Sequence, residues 1–310
     1  MQEIKTAAIM GLGAVGAYFL WGLADKMGEN LSVIAQGERA ERLKKEGIEI
    51  NGKTYYPNVK SADEVKGVDL LLVAVKYGAL KDSLDEIERA TGENTTVLSL
   101  MNGVNTEEII AERIGEEHML YSMMKISSER KGRSVVFKPE ATPGMYFGER
   151  GINEPTERVR AVMNLLDGTG VNYVFCEDIM QAIWDKFALN VSNNLPQAII
   201  GCGVGAYHES EYAGKVYMSL RNEVADIAAA QGIEVSREPD DAVQRGISKK
   251  SARYSTLQDI DAKRHTEVDM LAGIMIELGR KYGVPTPYSE VVYYLIKAIE
   301  EKNDGKFDYE

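Results

Sequence analysis

The sequence predicts an α/β protein in two parts, a doubly wound parallel sheet followed by an all-α C-terminal domain. Three observations carry this expectation. Short, almost wholly apolar runs alternate with helix-like stretches through the first half. A glycine-rich turn, Gly11-Leu12-Gly13-Ala14-Val15-Gly16, joins the first apolar run to the first helical stretch. From about Asp178 onward the strand signal fades and long helical patterns take over. At 310 residues the chain exceeds the ~100–200 residues usual for one domain, so two domains are expected, 1–178 and 179–310.

The elements follow in order. Thr6–Met10 reads as a short buried strand, and Val15–Lys26 then carries apolar residues at helical spacing. Leu31–Ala35 is a second strand, followed by a helical run over Arg39–Glu46. Val68–Val75 is apolar almost throughout, which suits a parallel strand covered on both faces. Thr95–Leu100 is another such strand and ends at the turn Asn102-Gly103. In the second half Ile179–Asn194, Val216–Gln231 and Ala262–Tyr282 read as helices. Pro285-Thr286-Pro287 punctuates the chain before a last amphipathic helix, Tyr288–Lys302.

Composition narrows the function classes. The chain is 44% hydrophobic and 27% charged, ordinary for a globular protein with a real core. Its net charge is −12, from 36 Lys+Arg against 48 Asp+Glu. Nucleic acid demands a clustered basic surface. The only concentrated basic stretch, Lys249-Lys250-Ser251-Ala252-Arg253, reads as a solvated or substrate-side loop, so no nucleic-acid partner is expected. Two distant cysteines, Cys176 and Cys202, build no disulfide framework and fit a reducing compartment. No basic n-region with a long apolar stretch opens the chain, and no segment reaches ~18 uncharged apolar residues. A cytoplasmic enzyme with no membrane partner is the expectation. Three histidines without metal-ligand spacing argue against a zinc site. Oligomeric state, a homodimer included, is not fixed by these features. The apolar face of the last helix (Tyr288, Val291, Val292, Tyr294, Leu295) reads as core rather than interface.

In the turn Gly11-x-Gly13-x-x-Gly16 the three glycines serve different ends. One allows a tight turn, one a close backbone approach to a pyrophosphate, and one close helix–strand packing. The helix N-terminus that follows offers free N–H groups to the phosphates. The expectation is a Rossmann-type nucleotide-binding domain, the alternative being a glycine turn that only joins strand to helix. The second strand's end ordinarily discriminates the cofactor: an acid for the ribose of NAD, an arginine for the 2′-phosphate of NADP. Here the order is Ala35-Gln36-Gly37-Glu38-Arg39. Gln36 commits to neither, Glu38 suits NAD, Arg39 suits NADP, and both charges also suit a solvated face. The residues themselves leave the cofactor open.

In Trp184-Asp185-Lys186-Phe187-Ala188-Leu189-Asn190-Val191-Ser192-Asn193-Asn194, helical spacing puts Lys186, Asn190 and Asn194 on one face. A lysine among aromatic and aliphatic neighbours loses solvation when charged, which favours proton donation near neutral pH. Ketone reduction needs such a donor, because hydride arrival makes an alkoxide; an exposed polar stripe is the equally weighted alternative. A further stretch reads Ser255-Thr256-Leu257-Gln258-Asp259-Ile260-Asp261-Ala262-Lys263-Arg264-His265-Thr266-Glu267. Ser255 suits a helix cap, Glu267 suits a partner for a buried lysine, and His265 beside Arg264 reads as structural or exposed.

Together these residues resemble the ketopantoate reductase (2-dehydropantoate 2-reductase) family nearly end to end. The matching pieces are GLGAVG, Val75-Lys76, Asn102-Gly103, WDKFALNVSNN and STLQDIDAKRHTEVD, of which the last two are far more specific than the glycine loop. The resemblance implies a Rossmann domain, a helical domain, and an active site in the cleft between them. It also implies NADPH-dependent reduction of 2-dehydropantoate to pantoate, a step in pantothenate and coenzyme A synthesis. By the same resemblance Lys186 is the general acid and Asn190, Asn194 and Ser255 bind substrate. Glu267 is the active-site glutamate, close to the cofactor as well. Lys76 and Asn102 lie by the nicotinamide, Asn102 also touching substrate, and Asp259 steadies the Ser255 loop. One departure stands out: the family's arginine after the second strand is here Gln36. NADPH remains the expected cofactor, with NADH left open, and a related 2-keto acid is the alternative substrate.

Overall fold

The computed structural model describes residues 3–309 other than 241, 244 and 247. The chain divides into two compact units, Met1–Ala182 and Ile183–Glu310. The division falls inside the helix Ile179–Ile200.

In chain order the first unit contains β1 (Ala7–Met10), α1 (Ala14–Met27), β2 (Leu31–Ile34), α2 (Gly37–Glu46), β3 (Ile48–Ile50), β4 (Lys53–Tyr55) and β5 (Asn58–Lys60). There follow β6 (Leu70–Val73), α3 (Leu80–Ala90), β7 (Thr96–Ser99), α4 (Thr106–Ile114) and β8 (Met119–Lys125). Last come β9 (Ser128–Lys131), β10 (Ser134–Phe137), β11 (Gly144–Gly148), α5 (Glu157–Leu166) and β12 (Tyr173–Phe175). The main sheet has eight strands in the order β12-β11-β8-β7-β6-β1-β2-β5. From β5 to β8 every pairing is parallel, and β11 runs antiparallel to β8. Every residue of β1, β2, β6 and β7 is buried, which is why these strands read as unbroken apolar runs. β1 lies at the centre, its Ile9 level with Val33 on one side and Leu72 on the other. The chain leaves β1 toward β2 and later returns to its other flank as β6. That reversal creates the crevice at the strands' carboxyl ends where open α/β sheets bind ligands.

Two features went beyond what the sequence predicts. A second, four-stranded sheet, β4-β3-β10-β9, pairs β3 with β10 from far along the chain. Its strands are three or four residues long, and β9 (Ser128-Glu129-Arg130-Lys131) is exposed throughout, so no hydrophobic period announces it. The antiparallel β8–β11 pair was likewise unannounced. Against α1 the small sheet contributes Phe137, which meets Tyr18 edge-on at 5.2 Å and Trp21 at 5.5 Å.

From α6 (Ile179–Ile200) onward the described residues contain helices and no strand. The second unit adds α7 (Ala206–Glu209), α8 (Glu211–Ala229), α9 (Ser255–Asp261), α10 (Ile274–Tyr282) and α11 (Pro287–Asn303). Trp184, Phe187, Ala188, Val191 and Leu195 recur at helical spacing and form the buried face of α6. The carboxylate of Glu223 caps α11, accepting from the Tyr288 and Ser289 N–H groups at 2.7 and 2.9 Å.

Two expectations are corrected here. The helix foreseen over Ala262–Tyr282 begins later: Lys263 sits at φ +52°, residues 264–266 are irregular, and a π-helical turn, Asp269–Gly273, leads into α10. The apolar face of the last helix is not core. Val292 is 4% exposed, but Tyr288, Val291, Tyr294 and Leu295 are 46–58% exposed, because α11 packs by the face that carries Ser289, Val292, Ile296 and Glu300. No helix among the described residues is long and apolar enough to cross a membrane.

Candidate active site

In the first unit the expected cofactor residues gather at the carboxyl ends of neighbouring strands. Met10 ends β1 and Gly11 follows at φ +97°; a Cβ there would lie 2.5 Å from the Ala74 carbonyl oxygen beyond β6. Only glycine tolerates both the dihedral and the contact. A Cβ on Gly16 would lie 1.9 Å from the Gly11 carbonyl oxygen, so α1 packs directly on the turn. Gly13 is different. It N-caps α1, no side chain caps that helix, and a Cβ on it would meet nothing within 4 Å. Its open flank and the uncapped N–H groups of Ala14 and Val15 form a concavity suited to a pyrophosphate, so a dinucleotide fits. Leu12 is buried, and its carbonyl accepts a hydrogen bond from Arg130 Nη1 at 3.0 Å.

Gln36 ends the β2 segment and N-caps α2, exposed and with its side chain capping nothing. Lys76 follows β6, exposed on extended backbone. Asn102 is exposed in the turn after β7, where Gly103 takes φ +115°. The Lys76 and Asn102 turns are tied together, since Asn105 Nδ2 donates to the Tyr77 hydroxyl at 3.1 Å. Beneath them lies a buried polar network. Thr106 Oγ1 donates to Glu107 Oε2 at 2.8 Å and stands 2.8 Å from Ser99 Oγ, and the Ser122 N–H points at Glu107 Oε1. Burial pushes the Glu107 carboxyl up to about 7, against these hydrogen bonds.

In the second unit the catalytic candidates are carried by α6 and the segment around α9. Lys186 and Asn190 are half-buried and Asn194 is 8% exposed. They occupy one face of α6, beside the buried stripe with Trp184 and Phe187 in edge contact at 5.8 Å. Ser255 is the first residue of α9; Tyr254 holds the cap position and no side chain caps the helix. The capping role foreseen for Ser255 is thus corrected, and its exposed hydroxyl is left for other partners. Glu267 is half-buried at the end of the irregular segment, its carbonyl accepting from Met270 and Leu271 N–H.

Two residues that sequence reasoning passed over hold this arrangement. Gln197, 1% exposed on α6, donates through Nε2 to the Ala252 carbonyl at 2.8 Å and accepts from the Tyr254 N–H at 2.6 Å. It therefore fixes the approach to Ser255 against the helix that carries Lys186. Glu300 on α11, 2% exposed, accepts from the N–H and hydroxyl of Thr266 at 2.7 and 2.6 Å, next to Glu267. The only sequence signal for either was a polar residue on an apolar helix face. Asp259 was expected to steady the Ser255 loop. Instead it accepts from Arg264 Nε at 2.8 Å and so clamps the other end of α9, leading to Glu267. His265 is exposed, with Nε2 3.0 Å from Asp304 Oδ2. In the basic run, Lys250 pairs with Glu209 at 2.6 Å and Arg253 with Asp261.

Known proteins resemble the chain in both units. The model of the family described as "Ketopantoate reductase PanE/ApbA" matches residues 7–151, and its C-terminal counterpart matches 178–300. A 2-dehydropantoate 2-reductase of Pyrococcus horikoshii is 28% identical over 307 residues, covering 96% of this chain and 98% of that protein. The crystal structure of a PanE/ApbA family ketopantoate reductase from Ralstonia eutropha superposes with a TM-score of 0.79 at 25% identity, covering 96% of this chain and 99% of its own. A D-mandelate dehydrogenase solved with NADH and anilino(oxo)acetate shares the fold, with a TM-score of 0.80 at 24% identity, over 96% of this chain and 99% of that one.

Proposed function

The chain belongs to the ketopantoate reductase family, and from that premise we propose that it reduces 2-dehydropantoate to pantoate with NADPH, a cytoplasmic step of pantothenate and coenzyme A synthesis. The observation that carries the reading is on α6. Lys186, Asn190 and Asn194 share one face of that helix, and Gln197 of the same helix binds the segment that delivers Ser255.

The roles follow from the chemistry of each group. When bound, the reduced nicotinamide supplies the hydride for the ketone carbon. Lys186 donates a proton to the ketone oxygen as it becomes an alkoxide, and Glu267 balances the lysine's charge. Asn190, Asn194 and Ser255 hold the carboxylate and the oxygen by hydrogen bonds, fixing the carbonyl carbon for attack. On the nucleotide side, the glycine loop takes the pyrophosphate, and Lys76 and Asn102 lie by the nicotinamide. This polar set recognises an α-keto acid better than it recognises any particular side group. A related 2-keto acid is therefore the second reading.

Lys186→Ala tests the assignment. A general acid contributes ~10²–10⁴-fold in rate, so kcat should fall by that range while the dissociation constant for NADPH is unchanged. Undiminished turnover in a variant that binds NADPH normally would remove Lys186 from the role.

A further inference from the structure

NADP differs from NAD by one dianionic phosphate, and the family's usual reader of it, an arginine after the second strand, is here Gln36. Three other guanidiniums converge on that place. Arg130 lies on β9 of the small sheet, yet its Nη1 reaches the Leu12 carbonyl of the glycine loop at 3.0 Å. Its Nε donates to the Gly132 carbonyl at 3.2 Å, so the guanidinium is pinned between the β9–β10 hairpin and the nucleotide turn. Arg39 and Arg42 rise from the first turns of α2, just past Gln36. Partial burial, then the neighbouring charges of Arg130 and Arg42, hold the Arg39 pKa below its usual value, with Glu86 opposing them more weakly. Among the described residues none of the three arginines is within ion-pair distance of a carboxylate. Guanidiniums stay charged; crowding three of them with only the weaker opposing charge of Glu86 is unfavourable and is relieved by a bound dianion. At the end of β2 in this type of sheet the partner is the adenosine ribose.

We propose that Arg130, reaching over from the small sheet, and Arg39 form the seat for the 2′-phosphate of NADPH, replacing from the far side the arginine that Gln36 displaces. The inference rests on the reading of Gly11–Gly16 as the nucleotide turn. It explains why a four-stranded sheet with an entirely exposed edge strand is built against that domain: one strand delivers a cation to the cofactor. NADH lacks the phosphate and leaves the mutual repulsion of the three charges unrelieved, so discrimination arises from both attraction and relief of repulsion.

Calorimetric titration of the full chain with adenosine 2′,5′-bisphosphate and with 5′-AMP tests this apart from turnover. The wild-type protein should bind the bisphosphate at least ~10-fold more tightly, as charge-assisted phosphate contacts allow. Arg130→Gln should lose ~10–100-fold in bisphosphate affinity while 5′-AMP binding stays within about twofold. Arg39→Gln, which leaves the Arg130–Leu12 bond intact, should give the same selective loss. Equal weakening of both ligands in Arg130→Gln would reduce that residue to a clamp on the loop and overturn the proposal. Wild-type protein binding the two ligands equally would overturn it while leaving the nucleotide reading in place. Binding of neither would overturn both.

Discussion

An added Cβ at Gly13 meets nothing within 4 Å, whereas one at Gly16 lands 1.9 Å from the Gly11 carbonyl oxygen. Gly13→Ala should therefore fold with an unchanged melting temperature and lose nucleotide affinity, because only the ligand occupies the space the methyl takes. Gly16→Ala should destabilise the domain itself by ~1–3 kcal/mol, as overpacking does. Thermal denaturation and titration of both variants separate the two; loss of stability in Gly13→Ala would mean the turn is structural at that residue too. Gln197 invites a similar test. Gln197→Leu leaves the Tyr254 N–H without its partner, at ~1–3 kcal/mol for a buried group, while the Ala252 carbonyl keeps the Val204 N–H at 3.2 Å. The Ser255 approach should loosen, raising KM for the keto acid while nucleotide affinity stays put. A KM equal to wild type would free Ser255 from Gln197. Helical spacing alone places Lys186, Asn190 and Asn194 on one face of α6, whereas the role proposed for Ser255 entered only through the family resemblance. Gln197, Glu300 and Arg130 were not legible, because each acts on a partner far away in sequence (55, 34 and 118 positions).

Among the elements, the β7–α4 junction carries a pH signature. The Glu107 carboxyl is raised from 4.5 to about 7 by burial. Below pH ~4.5 folded and unfolded chains both hold its proton. Between the two values only the folded chain does, so this group's contribution to stability falls as pH rises and is fully lost above about 7. At ~1.4 kcal/mol per unit the difference reaches ~3 kcal/mol. Glu107→Gln should remove that slope and be more stable than wild type at pH 8, as read by urea denaturation at pH 5 and pH 8. A slope unchanged in the variant would place the titrating group elsewhere. The strands β1, β2, β6 and β7 were legible because burial on both faces leaves no polar position to interrupt them. Periodicity predicts helix through the segment 262–267, but a local clamp, Asp259–Arg264, and a tertiary contact, Thr266–Glu300, override it. The face of α11 was misassigned for the converse reason. Apolar residues at helical spacing report an amphipathic helix, but two polar residues, Ser289 and Glu300, are buried on its packed side.

For the whole molecule, the alternation of apolar strands and helices was enough to foresee a parallel sheet in the first half and helices in the second. What composition missed was the small sheet, whose β3–β10 pairing joins residues 49–50 to 134–135 and carries no local signature. The net charge of −12 says little about how a chain handles anionic ligands. The local groups do: Arg130 reaches the Leu12 carbonyl of the glycine loop in a chain that is acidic as a whole. Any ligand that binds only the folded chain stabilises it by mass action, ~2.7 kcal/mol at a hundredfold excess over its dissociation constant. Saturating NADPH should accordingly raise the melting temperature by several degrees, and no shift would argue against a preformed nucleotide site. Consumption of reduced nicotinamide with a panel of 2-keto acids, each offered with NADPH and with NADH, decides the proposed reaction. 2-Dehydropantoate should lead in kcat/KM, and NADPH should be preferred over NADH. If another keto acid leads clearly, the substrate assignment is wrong; if no keto acid is reduced by protein that binds NADPH, the enzyme assignment fails with it.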